Sequence, residues 1–402
     1  TLPVYLVFTG DLPGLLIFLR LGKRCSGRYI YLAPKWLMAF NTEFLAKEDG
    51  FEEIEPGFSL TEFLSSPYLD TIAQTIEREY YSRQVSRFHY PVILMIKLLV
   101  VKCFRKQSYV WTVRLLTEDD CFNLGAEKTE AGYLLPNPAT LHSFVKYRLG
   151  VEGVERLMHL VGEAIVLWAQ KERVGIIDST PIEASRYDRY ALFHPHYQVK
   201  MDKAHIFNLG PYPLTMVYSN GTDADLTHLF PLIERVEALK PKLSLVLLDT
   251  GYDSYEAHAH LWYHLNARPC IDTRDGAVIQ EEGTEPRIRH WVNKLWRAGG
   301  DIHAPLTQQL RFLYQHGRVE QVGMHLRNQN LLDPEFPTLI QSRGECERIH
   351  GRIKASVTFH LKGIRHESRK LYMTLNFVAY QILLLFGLRA GLKNPTHLSA
   401  LV

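Results

Sequence analysis

Apolar residues repeat at helical spacing in the first half of the chain. They recur three or four residues apart through 91–104, Ser108 can cap a second helix, and Thr140 can cap a short third one. A longer amphipathic helix is predicted over residues 151–170. Residues 91–172 are therefore predicted to form a helical domain.

The spacing changes after residue 173, where short runs rich in β-branched residues follow one another. VGII at 174–177 and KLSLVLL at 242–248 have the composition of buried strands, and the stretch 196–219 predicts two more strands. A helix is predicted at 224–239. Strands followed by a helix and a buried strand indicate a mixed α/β sheet.

The predicted sheet region is split by a segment of different composition. Residues 275–340 are rich in Gly, Arg and Gln, and they are predicted to be an insertion subdomain with short strands. A basic helix and a final apolar helix follow in 341–392. The predicted organisation is thus an N-terminal region of open role (1–90), the helical domain, and a core made of 173–274 and 341–392.

Composition narrows the class of protein without identifying a partner. The chain has 402 residues, of which 46% are hydrophobic and 22% charged, as in ordinary globular proteins, and its formal net charge is only +3. Its strongest apolar run contains Lys97 and is too short to cross a membrane, so no membrane segment is predicted. Five cysteines without a C-x-x-C pair argue against a disulfide framework or a zinc knuckle, and they favour reduced thiols in a cytoplasmic protein.

Two aspartates follow predicted strands directly. Asp178 comes after the VGII run, and Asp249 comes after LSLVLL. In open α/β sheets, side chains at strand ends emerge from the core into a crevice. Carboxylates held rigidly there suit a hard cation such as Mg²⁺, which takes oxygen ligands. Each aspartate taken singly is also typical of a turn or a helix cap.

A late predicted helix carries a third acid among basic residues. In SRGECERIHGRIK, Arg343, Glu347, His350 and Lys354 are four, three and four residues apart, which predicts that they share one helix face. Residues 341–370 contain eight Lys and Arg against three Glu. Such a face can be a solvated surface of ion pairs, but the excess of positive charge favours a phosphate-rich partner.

Three of these segments together resemble the insertion-sequence transposases of the DDE type. GIIDSTPIEA resembles the family's first-aspartate strand, and LLDTGYDS at 247–254 matches its D-x-G-Y-D pattern. Arg343, Glu347 and Lys354 fit the R, E and K of the family's Y-x2-R-x3-E-x6-K signature, in which Ile340 stands in place of the Tyr. The resemblance covers residues 90–390, and the replaced Tyr bears on whether a hairpin intermediate is used.

The resemblance implies an RNase H-like mixed sheet flanked by helices and a two-metal mechanism. Asp178 would bridge two Mg²⁺ or Mn²⁺ ions, and Asp249 and Glu347 would each complete one of them. Water would be the nucleophile for strand nicking, and the freed 3′-hydroxyl would then attack target DNA. Glu345 is the reserve candidate for the third acid.

The partners implied by the resemblance are the inverted-repeat ends of a transposon and target DNA. Arg343 and Lys354 would contact phosphates beside the scissile bond, and Arg348, His350 and Arg352 are further candidate DNA contacts. The helical domain is a candidate reader of the repeats by analogy. Pairing of two DNA ends implies a homodimer in the DNA complex, in the prokaryotic cytoplasm at the nucleoid and away from membranes.

Several other residues are expected to have supporting roles. Caps or groups that support the metal ligands are expected at Asp225, Asp253 and Glu183. Stacking on a flipped base is open, although packing is favoured, for three tryptophans: Trp262, Trp291 and Trp296.

Three alternatives to a transposase stay open on the sequence. An RNase H-like nuclease would keep the acids and the metals but would not join DNA ends. A transposase-derived DNA-binding protein would not cut at all, although three converging acids argue against it. A zinc enzyme is the least favoured alternative, because we identify no pair of histidines four residues apart on a predicted helix beside a suitable acid.

Overall fold

The computed structural model describes residues 57–81, 90–184, 188, 191–195, 198–273, 285–358 and 365–401, and three short strands nearer the N-terminus. Contacts divide the chain into two compact units, Thr1–Phe51 and Glu52–Val402. In the first unit the three strands form an antiparallel sheet: Tyr5–Val7 (β1), Leu15–Phe18 (β2) and Ile30–Leu32 (β3). The remaining elements belong to the second unit.

Helices dominate the first part of the second unit, as the apolar spacing predicts. They are Leu60–Phe63 (α1), Asp70–Ile76 (α2), Val92–Phe104 (α3), Tyr109–Arg114 (α4), Glu118–Leu124 (α5), Pro138–Ser143 (α6) and Gly150–Trp168 (α7). A short antiparallel hairpin that was not predicted lies between α5 and α6: Glu127–Thr129 (β4) and Gly132–Leu134 (β5).

The caps of two of these helices test the sequence reasoning directly. The Ser108 side chain accepts the backbone N–H of Trp111 at 3.3 Å, which confirms it as the cap of α4. The predicted cap at Thr140 is wrong, because α6 begins earlier and the Asn137 side chain caps it. Pro138 does not delay the helix, since its fixed φ suits the first turn.

The central sheet combines an antiparallel meander with two parallel strands. Its strands are Val174–Glu183 (β6), Phe193–His194 (β7), Val199–Leu209 (β8), Tyr212–Asn220 (β9), Leu245–Leu248 (β10) and Arg268–Ile271 (β11). β6, β8 and β9 pair antiparallel, whereas β10 runs parallel to β6 and β11 runs parallel to β10. Helices connect the parallel strands: Asp225–Leu239 (α8) and Tyr255–Leu265 (α9). This mixed α/β sheet has the predicted RNase H-like arrangement.

The segment predicted as an insertion with short strands is helical in its described part, so the strand prediction is wrong. Its helices are Glu285–Lys294 (α10), Leu306–Gln315 (α11), Val319–Leu332 (α12) and Phe336–Gln341 (α13). In α10 only Ile288 and Val292 are buried, and the charged residues around them mask the helical period. Helices α10 to α12 bury a small core of their own, which α9 closes with Ala259 and Trp262.

Two last helices complete the unit, Glu345–Ser356 (α14) and His366–Arg389 (α15). Helix α15 packs against α3, α7 and β9. It is long and apolar enough to cross a membrane, but 89% of its apolar window is buried inside the structure. Such burial is typical of the central helix of a folded core.

Side chains alternate between the two faces of the sheet, so the residues of one strand contribute to two separate hydrophobic cores. Ile177 and Leu248 lie in the main core, with α7, α8 and α15. Ile176 and Leu247 point to the opposite face, where they pack against residues of α13 and α14. Helix α14, the predicted carrier of the third acid, therefore packs on this second face through Cys346, while its Ile349 and Ile353 belong to the main core.

Candidate active site

The strand register places two of the predicted acids side by side. Ile177 of β6 pairs with Leu248 of β10, so the residues that follow them, Asp178 and Asp249, are neighbours. By the alternation of side chains, both lie on the face that α13 and α14 cover. Strand β10 ends at Leu248, but β6 continues to Glu183, so Asp178 lies within its strand and not after its end as predicted.

A guanidinium group lies between the two carboxylates. Arg343 belongs to a short 3₁₀ turn that precedes α14. Its Nη1 is 3.8 Å from Asp178 Oδ2, and its Nη2 is 3.5 Å from Asp249 Oδ1. Two adjacent anions disfavour each other's ionisation, and a cation between them offsets this repulsion. Arg343 is therefore the counter-ion of the aspartate pair in the metal-free protein.

Asp178 is held by hydrogen bonds on both of its oxygens. Oδ1 accepts the Ser179 backbone N–H at 2.9 Å, and Oδ2 accepts the Cys346 thiol at 3.1 Å. Burial, with a smaller contribution from Asp249, raises the pKa of Asp178 above its usual range. Burial and the adjacent Asp178 also raise the pKa of the Cys346 thiol, which keeps it protonated as a donor. Cys346, which the sequence did not single out, thus joins α14 to the first aspartate.

The third predicted acid stands apart from this pair. Glu347 is exposed in the first turn of α14, and no hydrogen bond or ion pair links its carboxylate to another described residue. Within the described ranges, no group of three or more His, Cys, Asp or Glu is placed to hold a metal ion. The aspartate pair itself fits a divalent cation, because it offers oxygen ligands and a concentrated negative charge, whose ion-pair partner among the described residues is Arg343.

The reserve acid Glu345 is already engaged by basic neighbours. Its carboxylate lies 2.5 Å from Arg348 and 3.8 Å from Arg352. Arg352 also donates to the Thr396 hydroxyl at 3.2 Å. Glu345 therefore shapes the charge of the helix surface and is not free to face the aspartates.

The prediction that Arg343, Glu347, His350 and Lys354 share one helix face is wrong, because Arg343 lies outside α14 and His350 is buried whereas Glu347 and Lys354 are exposed. Arg343 precedes α14 in its own turn and points to the acids. His350 is only 6% exposed, and burial lowers its pKa to about 4, so its ring is neutral at pH 7. Arg348 and Lys354 are exposed. Residues three and four apart share a face only inside one helix, and a shared face can still turn toward the core.

Asp253, the last acid of the D-T-G-Y-D motif, supports the site from a distance. It pairs with Arg327 of α12 through two hydrogen bonds of 3.1 Å each, and His258 lies 3.4 Å away. The side chain of Asp253 is 9% exposed. It therefore fastens the insertion helix α12 beside the strand end that carries Asp249.

A further acid in the same row escaped the sequence reasoning. Ile271 of β11 pairs with Leu248 of β10, so Asp272 follows directly beside Asp249. Its Oδ1 accepts the backbone N–H of Thr273 at 2.9 Å. The signal that could have found Asp272 is the one that found the first two acids, a carboxylate just after a short apolar strand.

The histidine signature considered for a zinc enzyme does occur in the sequence, at His260 and His264 of α9. The structure gives this pair a packing role. The Tyr314 hydroxyl lies 2.7 Å from His260 Nδ1 and 3.0 Å from His264 Nε2, and Glu237 lies 3.0 Å from His264 Nδ1. These contacts join α11 to α8 and α9.

The three candidate tryptophans are placed differently from one another. Trp262 and Trp291 pack against the small core of the insertion. Arg318 lies over the Trp291 ring at 4.4 Å, which adds a cation–π contact. Trp296 is 66% exposed. Packing accounts for the first two, as favoured from the sequence.

An antiparallel meander continued by two parallel strands, with paired aspartates at their junction, defines an RNase H-like catalytic domain. The model of the family described as transposase DDE domain matches residues 169–382, which is more than half of the chain. The protein therefore belongs to the DDE transposase domain family, as the three sequence motifs indicated. No curated protein and no solved structure gives a significant match to the chain.

Proposed function

We propose that this protein is a DNA transposase that cleaves DNA at the ends of its transposon and joins the freed 3′-hydroxyl to target DNA. The observation that carries the proposal is the aspartate pair. Asp178 and Asp249 lie side by side with Arg343 between them. Membership of the DDE transposase family supports the same activity.

Two Mg²⁺ or Mn²⁺ ions would, when bound, activate the attacking oxygen and stabilise the leaving oxygen. Asp178 would contribute to both ions, and Asp249 and Glu347 to one each. The Ser179 N–H and the Cys346 thiol orient the Asp178 carboxylate for this role. Glu347 is exposed in the first turn of α14 and makes no hydrogen bond or ion pair with another described residue, so its carboxylate is open to a metal ion.

DNA would be gripped mainly through its phosphates in this proposal. Arg343 would transfer from the aspartates to a phosphate beside the scissile bond, and Arg348, Arg352 and Lys354 would contact the flanking backbone. His350, which the sequence analysis counted among the candidate DNA contacts, is not part of this proposal because it is buried. A homodimer that pairs two inverted-repeat ends in a prokaryotic cytoplasm remains part of the proposal, on the strength of family membership.

The proposal is tested by cleavage of a supercoiled plasmid that carries the DNA flanking the gene in its source genome. The reaction contains Mg²⁺ or Mn²⁺, and a labelled 3′ end reports joining to a second DNA. Wild type is expected to nick at the repeat ends and to transfer the strand. Asp178→Ala, Asp249→Ala and Glu347→Ala are each expected to abolish both steps while leaving DNA binding in place.

Glu345→Ala is the matched control, because it removes an acid two residues from Glu347 that ion pairs already engage. It is expected to retain cleavage. Nicking without strand transfer would favour the nuclease alternative, and binding without nicking in either metal would favour the DNA-binding protein. Activity that survives Glu347→Ala but not Glu345→Ala would show that the third acid is misassigned.

A further inference from the structure

Asp225 lies at the start of α8 and faces the sheet. The helix begins at Asp225, and its N-cap residue Ala224 makes no side-chain cap. The Asp225 Oδ1 accepts a hydrogen bond from Lys203 of β8 at 2.9 Å, and its Oδ2 accepts the Ser179 hydroxyl of β6 at 3.2 Å. The carboxylate is therefore fixed between two strands, with only 23% of the side chain exposed.

Through Ser179, Asp225 reaches the first aspartate of the site. Ser179 follows Asp178 in the chain, and its backbone N–H donates to Asp178 Oδ1 at 2.9 Å. Its hydroxyl donates a hydrogen bond to Asp225 Oδ2. One residue thus carries two hydrogen bonds, which lock the strand at the position of Asp178 and fix the direction of one carboxylate oxygen.

Asp225 also lies close to the segment that carries the second aspartate. A Cβ added to Gly251 would lie 3.5 Å from Asp225 Oδ2, which is an ordinary van der Waals distance, so the D-T-G-Y-D turn passes near this carboxylate. The next residue, Tyr252, donates its N–H to the Asp249 carbonyl at 3.0 Å.

A buried hydrogen-bond chain completes this support. The Tyr252 hydroxyl lies 3.2 Å from His205 Nδ1, and the Ser219 hydroxyl lies 2.8 Å from His205 Nε2. His205 stands opposite Ser179 in the β6–β8 register, and the three hydrogen-bonded side chains, Tyr252, His205 and Ser219, are all buried. Satisfied buried networks rigidify their surroundings. His205 Nδ1 also lies 3.9 Å from Asp225 Oδ1, so the two aspartate-bearing segments are joined to one rigid group of side chains, whose charged members are Asp225 and Lys203.

We propose that Asp225, held by Lys203, is a positioning residue that sets Asp178 and Asp249 at the separation a divalent cation requires. This inference rests on the proposed function, because it assigns Asp225 a role toward the metal ligands of that function. Groups that orient metal ligands without touching the metal typically change metal affinity about 10–100-fold when removed. A residue needed only for folding would change the stability of the protein and leave the affinity of the folded molecules intact.

The test measures Mn²⁺ binding to the metal-free full chain by isothermal titration calorimetry in the absence of DNA. Asp225→Ala is expected to weaken binding about 10–100-fold. Asp225→Asn, whose amide oxygen can still accept the Ser179 hydroxyl, is expected to recover part of the loss. The matched control is Asp223→Ala in the same loop, since Asp223 bonds His228 and the Asn220 N–H and not Ser179. It is expected to bind Mn²⁺ as wild type does.

Ser179→Ala is the variant to measure if Asp225→Ala does not fold. It keeps the Asp225 carboxylate and removes the hydroxyl of β6 that donates a hydrogen bond to it. It is expected to weaken Mn²⁺ binding in the same direction. Wild-type affinity in folded Asp225→Ala, or in Ser179→Ala where the first variant fails to fold, would overturn the inference and leave the proposed function standing. Undiminished binding by Asp178→Asn would overturn the metal site of the proposed function, and this inference with it.

Discussion

Asp178 is the site residue whose charge the folded protein disfavours. Its raised pKa arises chiefly from burial, with Asp249 adding to it, and the hydrogen bond from Cys346 and the charge of Arg343 offset this only in part. A raised pKa means that the folded protein binds the proton more tightly than the unfolded chain does. The contribution of Asp178 to stability is therefore present at acid pH and lost as the pH rises through the raised pKa.

Asp178→Asn is accordingly expected to stabilise the metal-free protein at neutral pH. The side chain of Asp178 is only 15% exposed, so replacing a charge that burial disfavours by a neutral amide is expected to raise the free energy of unfolding. The gain should shrink as the pH falls into the usual aspartate range, because wild-type Asp178 is then protonated too. Urea denaturation of both proteins across that pH range measures it.

Asp253→Asn is the control of opposite sign. Burial raises the pKa of Asp253, but its bonds to His258 and Arg327 outweigh burial and lower it overall. Its ionised form therefore stabilises the fold above the usual aspartate range, and the variant is expected to be less stable than wild type at neutral pH. A loss of stability in both variants would contradict the assignment of Asp178 as a disfavoured charge.

The site residues divide into those that sequence reveals and those that depend on packing. Asp178 and Asp249 were found because a carboxylate after an apolar run is a local signal. The placement of Arg343 between them and the thiol contact of Cys346 depend on how α14 lies across the sheet. No residue spacing in the sequence predicts how α14 packs against the sheet, and the same packing buries His350.

At the scale of elements, prediction succeeded where the apolar period is strong. Helices α7 and α8 and the strands β8 and β9 were predicted close to their observed bounds. The prediction of short strands in residues 275–340 was wrong because α10 and α13 bury only two residues and one residue. Most of the residues that α12 buries are Gly, His or Asn, which a hydrophobic pattern does not register. The last helix was predicted as apolar, yet Arg369 within it is only 1% exposed. A buried charge is invisible to a hydrophobic pattern when its partners come from distant strands.

Arg369 joins α15 to the sheet through a buried ion pair. Its Nε lies 2.6 Å from Asp202 of β8 and its Nη1 lies 3.1 Å from Asp188, while Tyr218 also donates to Asp202. Arg369→Met is expected to lower the free energy of unfolding by about 3–5 kcal/mol, because Asp202 is left as an unpaired charge in the core. Adding Asp202→Leu should restore part of the loss, since it removes that charge.

The neighbouring Lys370 supplies the control for this prediction. It pairs with Glu155 at 3.1 Å, but its side chain is 30% exposed. Partly exposed pairs of this kind are worth at most about 1 kcal/mol, so Lys370→Met is expected to have a small effect. Equal losses in Arg369→Met and Lys370→Met, measured by urea denaturation, would show that the buried pair contributes nothing special.

At the scale of the whole molecule, the sequence divides the chain more sharply than the structure does. The helical residues 91–172 share one continuous core with the sheet and with α15. Contacts between segments so distant in sequence leave no local signal, and the prediction therefore divided the chain where its composition changes.

The net charge of a segment likewise depends on contacts that the sequence does not reveal. Eight Lys and Arg lie in 341–370, but Arg369 is buried in an ion pair and Arg343 faces the aspartates.

In the proposed DNA complex, the positive charge of this region would be set by Glu345, which forms ion pairs with Arg348 and Arg352. Glu345→Gln is expected to strengthen binding to any DNA duplex and to steepen its salt dependence by up to about one unit of slope for each arginine released. Arg348→Gln is expected to do the reverse, and neither variant should alter stability much, since the Arg348 side chain is 69% exposed. Fluorescence anisotropy of a labelled duplex over a salt series measures both slopes. Unchanged slopes in the two variants would mean that this face of α14 does not contact DNA phosphates. The DNA would then have to be bound by the exposed charges of the N-terminal helices.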